Sequence, residues 1–461
     1  MPARRVGTFI ALGVAASVLV GAPSAIAAKR WSPPETISNT TEPVDFPQLA
    51  MNGRGHAVAV WTQKPPAANP DDPQIRMRAV RRRLGKGFGA PRTLGPAIET
   101  IGDNPPSLPR VAIDQQGNAL AAWLIKDGEG NPRVVASYQR RGGPWGEPQT
   151  LSAPGQPAFE PSIAFDKEGN AVAVWDRFDG QVTRIQTAFK PVDEPGFRAM
   201  ETISPAGIPA ATPVVGIGDL GDASAVWLAQ DPQPPFEHFV QAALAPAGDP
   251  FGSTQTISDP DLDADDPHLA VAGNGVAMAA WEQQSPTAEA GEIGTSFSPL
   301  GASFQRPVAI PPQGGMDPFQ PRVAMDRLAR ATLVWRENPQ GGQSGTNTVR
   351  ALRTDPAGAL GGPQTITTTQ ETILQPALAV ARAGNAVVAW AEFPTSGANP
   401  LRFAVRGRRA GEFGAAGLLT APGTSGAAPA VATNRRFAIA VWEVSTGGEG
   451  TSVAASVYAR R

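Results

Sequence analysis

The segment richest in side chains that could do chemistry is the acidic stretch from Ser258 to Asp266. Its carboxylates occur mainly at alternate positions, a spacing that suits the oxygen ligands of Ca²⁺. The stretch lacks the glycine at the sixth position and the distal glutamate of an EF-type loop. The sequence therefore predicts one of two things, a weak Ca²⁺ site or a solvated acidic loop. The residues of the predicted site are Asp259, Asp261, Asp263 and Asp265.

Side chains for acid–base or nucleophilic catalysis are scarce in this sequence. The chain has no cysteine, three histidines and two tyrosines. No His–carboxylate–Ser set can be argued from their spacing, so we interpret them as ordinary strand residues. They are His56, His238, His268, Tyr138 and Tyr458.

A carboxylate pair for glycoside hydrolysis stays open. Glycosidases use two Asp or Glu side chains on either side of the bond that breaks. Four carboxylates lie just before strands that we expect to be innermost in the fold, where distant loops can meet. These candidates are Asp45, Asp103, Glu160 and Asp317.

The elements that position these residues come from a repeat that occurs eight times. Each copy ends in a tryptophan, with gaps of 52 to 62 residues between copies. An alanine lies four residues before every tryptophan, and a proline lies fourteen before in seven copies. Such a period indicates a repeat architecture. The tryptophans are Trp61, Trp123, Trp175, Trp227, Trp281, Trp335, Trp390 and Trp442.

Each copy is predicted to begin with a hairpin. The stretch Ile163 to Trp175 shows an apolar run, a turn of the form Asp-x-x-Gly-Asn and a second apolar run. This pattern is typical of two antiparallel strands, and glycines such as Gly169 provide the positive φ of the turn. The Asx residues at these turns (Asn52, Asp114, Asp166 and Asp326) are expected to bond their own backbone. In the last copy Pro429 lies one residue closer, which predicts a shorter turn.

A third and a fourth strand follow each hairpin, which makes four strands per period of about 54 residues, as in a propeller blade. Residues 31–37 read as a fourth strand without a third, and residues 451–458 as a third without a fourth. The sequence predicts an all-β, eight-bladed β-propeller over residues 29–461, closed by pairing of these two ends. Each tryptophan shares a strand face with small residues, which favours burial between blades over a sugar platform.

The remaining features concern location and partners. Residues 1–27 carry Arg4 and Arg5, an apolar run and a small-residue end, which predicts a cleaved signal peptide and a secreted or cell-envelope protein. No later run is long and apolar enough to span a membrane. The formal net charge of −2 gives no electrostatic basis for nucleic-acid binding. We expect a monomer.

The hairpin Asp-x-x-Gly-Asn of Asp114 to Asn118 and of Asp166 to Asn170 resembles the NHL repeat, and the chain is similar to secreted bacterial propellers of the sialidase-like and NHL-like group. The Ser-x-Asp-x-Gly-x-Thr-Trp box of sialidases is missing from every copy. The resemblance therefore implies the propeller fold and carries over no catalytic residue.

The two faces of the ring are predicted to differ in charge. The turn face, formed by the first–second and third–fourth turns of the blades, is predicted to be basic. The loop face, formed by the second–third loops and the links between blades, is predicted to be acidic. Turn-face residues are Arg81, Arg82, Arg83, Lys86, Arg140, Arg141, Arg408, Arg409, Arg435 and Arg436. Loop-face residues are Asp71, Asp72, Asp103, Asp127, Glu129, Asp176, Asp179 and the stretch 259–266.

Two functions follow from this arrangement. The absence of a catalytic motif favours a non-catalytic binding or scaffold propeller that recognises a protein or glycan on its acidic loop face. The alternative is a carbohydrate-active enzyme, a glycoside hydrolase or lyase, with carboxylates at the axial mouth. Acidic side chains meeting there beside an arginine or tyrosine would favour the enzyme.

Overall fold

The computed structural model describes residues 31–38, 42–64, 75–98, 108–235, 237–284, 290–340, 345–445 and 451–459. Within them 32 strands form eight antiparallel sheets of four strands each. Consecutive inner strands contact one another around a ring. The predicted eight-bladed propeller is therefore confirmed, and we number its blades 1 to 8 from the N-terminal hairpin.

Each blade contributes one strand to each of four concentric layers. The inner strands are β2 (Val44–Met51), β6 (Arg110–Ile113), β10 (Ala158–Phe165), β14 (Ala210–Ile217), β18 (Asp263–Val271), β22 (Met316–Met325), β26 (Thr372–Val380) and β30 (Gly426–Thr433). The second strands are β3 (Ala57–Gln63), β7 (Ala119–Lys126), β11 (Ala171–Phe178), β15 (Ala223–Gln230), β19 (Ala277–Gln284), β23 (Ala331–Pro339), β27 (Ala386–Phe393) and β31 (Phe437–Ser445).

The outer two layers are shorter on average, and the outermost strands pair over only a few residues. The third strands are β4 (Arg76–Arg82), β8 (Pro132–Gln139), β12 (Thr183–Lys190), β16 (His238–Ala245), β20 (Glu292–Ser298), β24 (Asn347–Arg353), β28 (Leu401–Arg406) and β32 (Thr451–Ala459). The outermost strands are β5 (Arg92–Pro96), β9 (Gln149–Thr150), β13 (Glu201–Thr202), β17 (Gln255–Thr256), β21 (Val308–Ile310), β25 (Gln364–Thr369), β29 (Gly417–Leu418) and β1 (Glu35–Thr36).

The ring is closed by the two ends of the chain. Glu35 and Thr36 pair with Ala455 and Ala454 of β32, and Trp31 forms a bridge with Tyr458. The Trp31 ring also lies 5.5 Å from the ring of Phe403 in the neighbouring blade. The predicted closure is confirmed, and it covers the strand edge that an open ring would expose.

The tryptophans lie in the core, as predicted. All eight are between 0% and 2% exposed, and each packs in a cluster with small and branched apolar side chains of adjacent blades. Most of their indole N–H groups donate to a nearby acceptor, for example Trp227 Nε1 to Gln241 Oε1 at 3.1 Å. The inter-blade core therefore repeats around the ring and holds neighbouring sheets in register.

The hairpin turns also follow the prediction. Asp166 Oδ1 accepts from the backbone N–H of Gly169 at 2.7 Å and of Asn170 at 2.8 Å, and Gly169 has a φ of 102°. In blade 8 the turn is closed by a hydrogen bond from Asn434 N to Phe437 O. This turn is one residue shorter than that of blade 3, where Asp166 N donates to Asn170 O. The Asx residues at these turns are structural.

A proline bulge interrupts the inner strands. In β10 the pairing register shifts between Phe159 and Ser162, and Glu160, directly before Pro161, has a φ of 48°. A positive φ outside glycine costs about 1–3 kcal/mol and concentrates at functional sites. The same feature occurs before proline at Phe46, Thr212, Asp266, Gln320 and Ala428. At each bulge the regular alternation of side chains along the inner strand, close to the axis, is interrupted.

Within the described residues, no helix is long and apolar enough to cross a membrane. The predicted signal peptide, residues 1–27, lies outside the described residues, as do Asp71, Asp72 and Asp103. Secretion stays a prediction.

Candidate active site in the central channel

Three cationic or titratable side chains follow the bulge prolines of different blades and meet at the axis. Arg110 belongs to blade 2, His268 to blade 5 and Arg322 to blade 6. Burial, followed by the charges of Arg322 and Arg110, lowers the pKa of His268 to about 3. His268 feels the charges of both arginines, and Arg110 feels that of Arg322. Because these residues come from blades on different sides of the ring, their side chains line the central channel. At neutral pH His268 is an uncharged acceptor between two guanidinium groups.

The same side chains connect neighbouring blades. Arg110 Nε donates to the carbonyl of Pro161 at 3.1 Å. Arg322 Nη1 lies 3.0 Å from Asp266 Oδ2, and His268 Nδ1 accepts from the backbone N–H of Val323 at 3.4 Å. These bonds fix the guanidinium groups in the channel wall. A group held this way is preorganised to bind an anionic or strongly polar substituent.

A carboxyl pair lies in the wall of blade 3. Asp176 follows Trp175 on the second strand and is 5% exposed. Burial, and then the charge of Glu160, raises the pKa of Asp176 well above its ordinary value. Its Oδ1 atom has no hydrogen-bond partner among the described residues. Asp176 therefore binds a proton more readily than an ordinary aspartate, as expected when a carboxyl group is buried beside another carboxyl group.

Comparison with other blades shows why this pair is unusual. In blades 5 and 8 the residue after the tryptophan is a glutamate that accepts from the bulge N–H of the next blade. Glu282 bonds Gln320 N and Glu443 bonds Phe46 N, each at 2.7 Å. In blade 3 Glu160 takes over this bond, to Thr212 N at 2.8 Å. The shorter Asp176 is released from the structural role that its position has elsewhere.

A second perturbed carboxyl lies two blades away, at Glu282. Burial, together with the charges of Asp266 and Asp265, raises its pKa to about 7, although the bond from Gln320 N and the charge of Arg336 act in the opposite direction. Burial also raises the pKa of Asp265. A carboxyl group that titrates near neutral pH is suited to general acid–base catalysis.

The turn-face end of the channel is crossed by an ion pair. Arg382 of blade 7 donates from Nη1 to Asp219 Oδ1 of blade 4 at 2.7 Å, and its Nη2 donates to Asp219 Oδ2. This bidentate bridge separates two cavities at that end. One, of about 140 Å³, lies toward Asp114 and Asp166, and the other, of about 440 Å³, lies toward Met51 and Asn434.

The predicted catalytic candidates do not all meet in the channel. Of the four proposed carboxylates, Glu160 lies in the channel pair. Asp45 forms an ion pair with Lys64 at 3.2 Å, and Asp317 accepts from Gly291 N at 3.2 Å. His56 lies on the turn face, where burial and the charges of Arg81 and Arg141 lower its pKa. His268 is the one histidine that reaches the channel in the described part of the chain.

The predicted Ca²⁺ ligands are engaged separately. Asp259 Oδ1 accepts from Asp261 N at 3.0 Å, Asp263 Oδ1 accepts from His238 N at 2.7 Å, and Asp265 Oδ1 accepts from Asp266 N at 2.7 Å. Across the described residues, no three Asp, Glu or His side chains converge in a way that could hold a metal ion. Ca²⁺ binding stays a prediction, and this arrangement does not assemble its ligands.

Sequence reasoning missed four of the channel residues, namely Arg110, Asp176, Glu282 and Arg322. They occupy two equivalent places in the repeat, directly after the proline and directly after the tryptophan. At both places the residue changes from apolar to charged between copies, whereas the residue two after the proline is always Leu, Val or Ile. That contrast was the available signal.

Comparison with known proteins shows the fold and no family. No family model matches the sequence, and no curated protein matches it. An ulvan lyase structure is 10% identical with a TM-score of 0.49, and the match covers 92% of this chain and 95% of the lyase. A protein of unknown function from Dyadobacter fermentans is 11% identical with a TM-score of 0.45, over 94% and 99% of the two chains.

Another match is an α-L-arabinofuranosidase of Fusarium graminearum in complex with arabinobiose. It is 15% identical with a TM-score of 0.39, over 70% of this chain and 96% of that chain. The matched structures also include a sialidase. The expected likeness to sialidase-like propellers is thus supported at the level of the fold, whereas the likeness to NHL repeats stays a prediction.

Two predictions are corrected by these findings. We predicted a non-catalytic binding or scaffold propeller and expected no enzyme. The matched structures with named activities are mostly carbohydrate-active enzymes. The structure adds a physical reason, since the charge of Glu160 acts on both Asp176 and Arg110, which brings two carboxyl groups and an arginine close together. These findings favour the alternative over the non-catalytic reading.

Proposed function

We propose that the protein is a carbohydrate-active enzyme that hydrolyses glycosidic bonds in the central channel. The observation that carries the proposal is the Glu160–Asp176 pair, because two carboxyl groups that feel each other's charge beside the guanidinium group of Arg110 can provide both an acid and a base. Glu282 and Glu443, which directly follow their tryptophans, each accept a backbone N–H from the bulge of the next blade, which is a structural role. Asp176 follows its tryptophan in the same way but does not make this bond, and its Oδ1 has no partner among the described residues.

The two members of the pair have different roles in this proposal. Glu160 is partly exposed in the wall of the channel, and so it is the group that contacts the sugar. Asp176 is buried behind it and acts as a positioning residue that keeps one proton in the pair. Glu282, with a pKa of about 7, is the second carboxyl able to donate a proton at neutral pH.

The arginines orient the substrate. Arg110 and Arg322 present fixed guanidinium groups in the channel, and a guanidinium group binds a carboxylate or sulfate in a bidentate manner. We therefore expect a polysaccharide that bears acidic substituents. Arg110 and Arg322 also favour a second candidate, a polysaccharide lyase. An arginine that neutralises the carboxylate of a uronate makes the neighbouring C–H bond more acidic.

The experiment is a screen of neutral, uronate-containing and sulfated polysaccharides for new reducing ends, with the Glu160→Gln variant beside the native chain. The variant should lose activity by about 10²–10⁴-fold, the usual contribution of a positioned acid or base. Glu443→Gln is the matched control, since it makes the same change at a carboxyl that caps the Phe46 N–H.

The outcomes separate the candidates. Reducing ends without an ultraviolet-absorbing unsaturated sugar indicate hydrolysis, whereas an unsaturated product end indicates a lyase. Equal losses in Glu160→Gln and Glu443→Gln, measured per folded molecule, would mean that both carboxyls only support the ring. No turnover of any acidic or neutral polysaccharide by the native chain would refute the enzyme.

A further inference from the structure

A groove on the turn face, between blades 7 and 8, is distinct from the channel carboxyls. It is a cavity of about 730 Å³ lined by the third–fourth turn of blade 7 and the hairpin of blade 8. Its basic lining residues are Arg406, Arg408, Arg409, Arg435 and Arg436. Arg408 and Arg435 also line the 440 Å³ cavity at the axis. The two cavities therefore adjoin at these two arginines, and we use the name groove for both together.

The charge of this groove is one-sided. At its axial end Arg327 and Arg382 join the lining, and no Asp or Glu is among the described residues that line either cavity. One acidic neighbour, Asp219 in the adjoining cavity, is already held by Arg382. Because like charges repel, a cluster of this kind is stabilised when anions bind to it.

The floor of the groove contains a buried guanidinium group. Arg406 is 2% exposed, and its Nη2 donates to Thr332 Oγ1 at 2.7 Å. Its Nε has no hydrogen-bond partner among the described residues. Burial and the charge of Arg353 lower its pKa to about 10, so it remains charged at neutral pH. A buried charge without a carboxylate partner is costly unless an anion reaches it.

The nearby carboxylate does not fill this need. Asp326 Oδ2 already bonds Arg330 at 2.7 Å and Arg353 at 3.2 Å. Two guanidinium groups satisfy one carboxylate, which leaves Arg406 as the third. The charge of Asp326 still reaches Arg406, and the Arg406 guanidinium group lies 5.2 Å from the centre of the Phe413 ring. The groove thus combines exposed arginines along its length with a recessed arginine that shares its nearby carboxylate with two others.

We propose that this groove binds a single chain of an acidic polysaccharide, through the carboxylate or sulfate substituents along it. The inference goes beyond the proposed catalysis, because it concerns a separate site on the turn face, lined by none of the channel carboxyls. A narrow chain can follow the groove and place one substituent on the recessed Arg406, which a flat lipid surface cannot reach. Single-stranded nucleic acid would need exposed aromatic rings for its bases, and the aromatic ring in the lining of the rim cavity, Tyr458, is 5% exposed.

The test compares the binding of dextran sulfate and of uncharged dextran of the same length, by calorimetric titration of the full chain. Dextran sulfate should bind and dextran should not. The test variant Arg408→Gln/Arg435→Gln changes two exposed residues shared by both cavities. The matched control Arg140→Gln/Arg141→Gln removes the same charge from exposed turn-face residues of blade 2.

The groove variant should bind dextran sulfate about tenfold or more weakly, since two charge-assisted hydrogen bonds are lost. The control should bind as the native chain does. Equal weakening in both variants would show attraction to the whole basic face and would overturn the groove. Inorganic sulfate that displaces dextran sulfate at an equal concentration of sulfate groups would show that the groove binds single anions, and would refute the binding of a polysaccharide chain.

Two further measurements complete the design. Vesicles of phosphatidylglycerol and phosphatidylcholine that bind more tightly than dextran sulfate would assign the face to a membrane and overturn the proposal. The Glu160→Gln variant should bind dextran sulfate in the groove unchanged, because its substitution lies in the channel. The groove proposal can therefore be refuted while the proposed catalysis is supported, and the reverse also holds.

Discussion

The substitution Asp176→Asn provides a sharp test of the channel carboxyl pair, because it should stabilise the fold and impair the chemistry together. The native carboxyl is 5% exposed, and burial and the charge of Glu160 raise its pKa. In the unfolded chain the same group is ionised at neutral pH, so folding must bind a proton or bury a charge. Asparagine has nearly the same shape and carries no such cost.

The size of the gain follows from the environment of the carboxyl group. Folding raises the pKa of Asp176 in the native chain, and each unit by which a pKa differs between the folded and unfolded states is worth about 1.4 kcal/mol. We therefore expect the variant to be more stable at pH 7 by on the order of 1–3 kcal/mol. The gain should depend on pH. Below the ordinary aspartate pKa of 3.8 both states of the native carboxyl are protonated and the gain vanishes, whereas it grows as pH rises above that value.

Urea unfolding followed by tryptophan fluorescence measures this difference, since the eight repeat tryptophans are buried in the folded ring. The titration should be run at several pH values, with Glu443→Gln as the comparison variant. Turnover by Asp176→Asn should fall, with a changed pH profile because Glu160 no longer has a titrating carboxyl group beside it. A variant that is less stable than the native chain at pH 7, or a gain that is the same at pH 3 and pH 7, would refute the protonated buried carboxyl.

Three other outcomes follow from the structure. Glu282 has a folded pKa of about 7 against an ordinary 4.5, so its contribution to stability is complete below pH 4.5 and is lost as pH rises toward 7. The Glu282→Gln variant should lack that decline in urea midpoint. The Trp227→Ala variant, at 0% exposure, should lose about 3–5 kcal/mol of unfolding free energy; a loss below 1 kcal/mol would contradict inter-blade packing. Deletion of residues 31–37 should leave the outer edge of β32 unpaired and make the protein aggregate in light scattering, and an unchanged melting temperature would contradict the closure.

The fold could be read from the sequence because each blade is specified by its own residues and by the next copy along the chain. The proline, the Asp-x-x-Gly-Asn turn and the tryptophan recur at fixed spacing, and each acts over a short range through turn geometry or inter-blade packing. Even the shorter turn after Pro429 followed from the missing residue. The closure could be predicted because the two terminal segments lacked complementary strands.

The sites were decided by the tertiary structure alone, because closing the ring brings together residues with no sequence relation. Asp219 and Arg382, which cross the channel, are 163 residues apart. Whether a carboxyl after a tryptophan caps a backbone N–H, as Glu282 does, or stays protonated, as Asp176 does, depends on the neighbouring blade. Periodicity places a side chain on the strand, whereas burial and neighbouring charges set its pKa, and those arise only when all blades are in place.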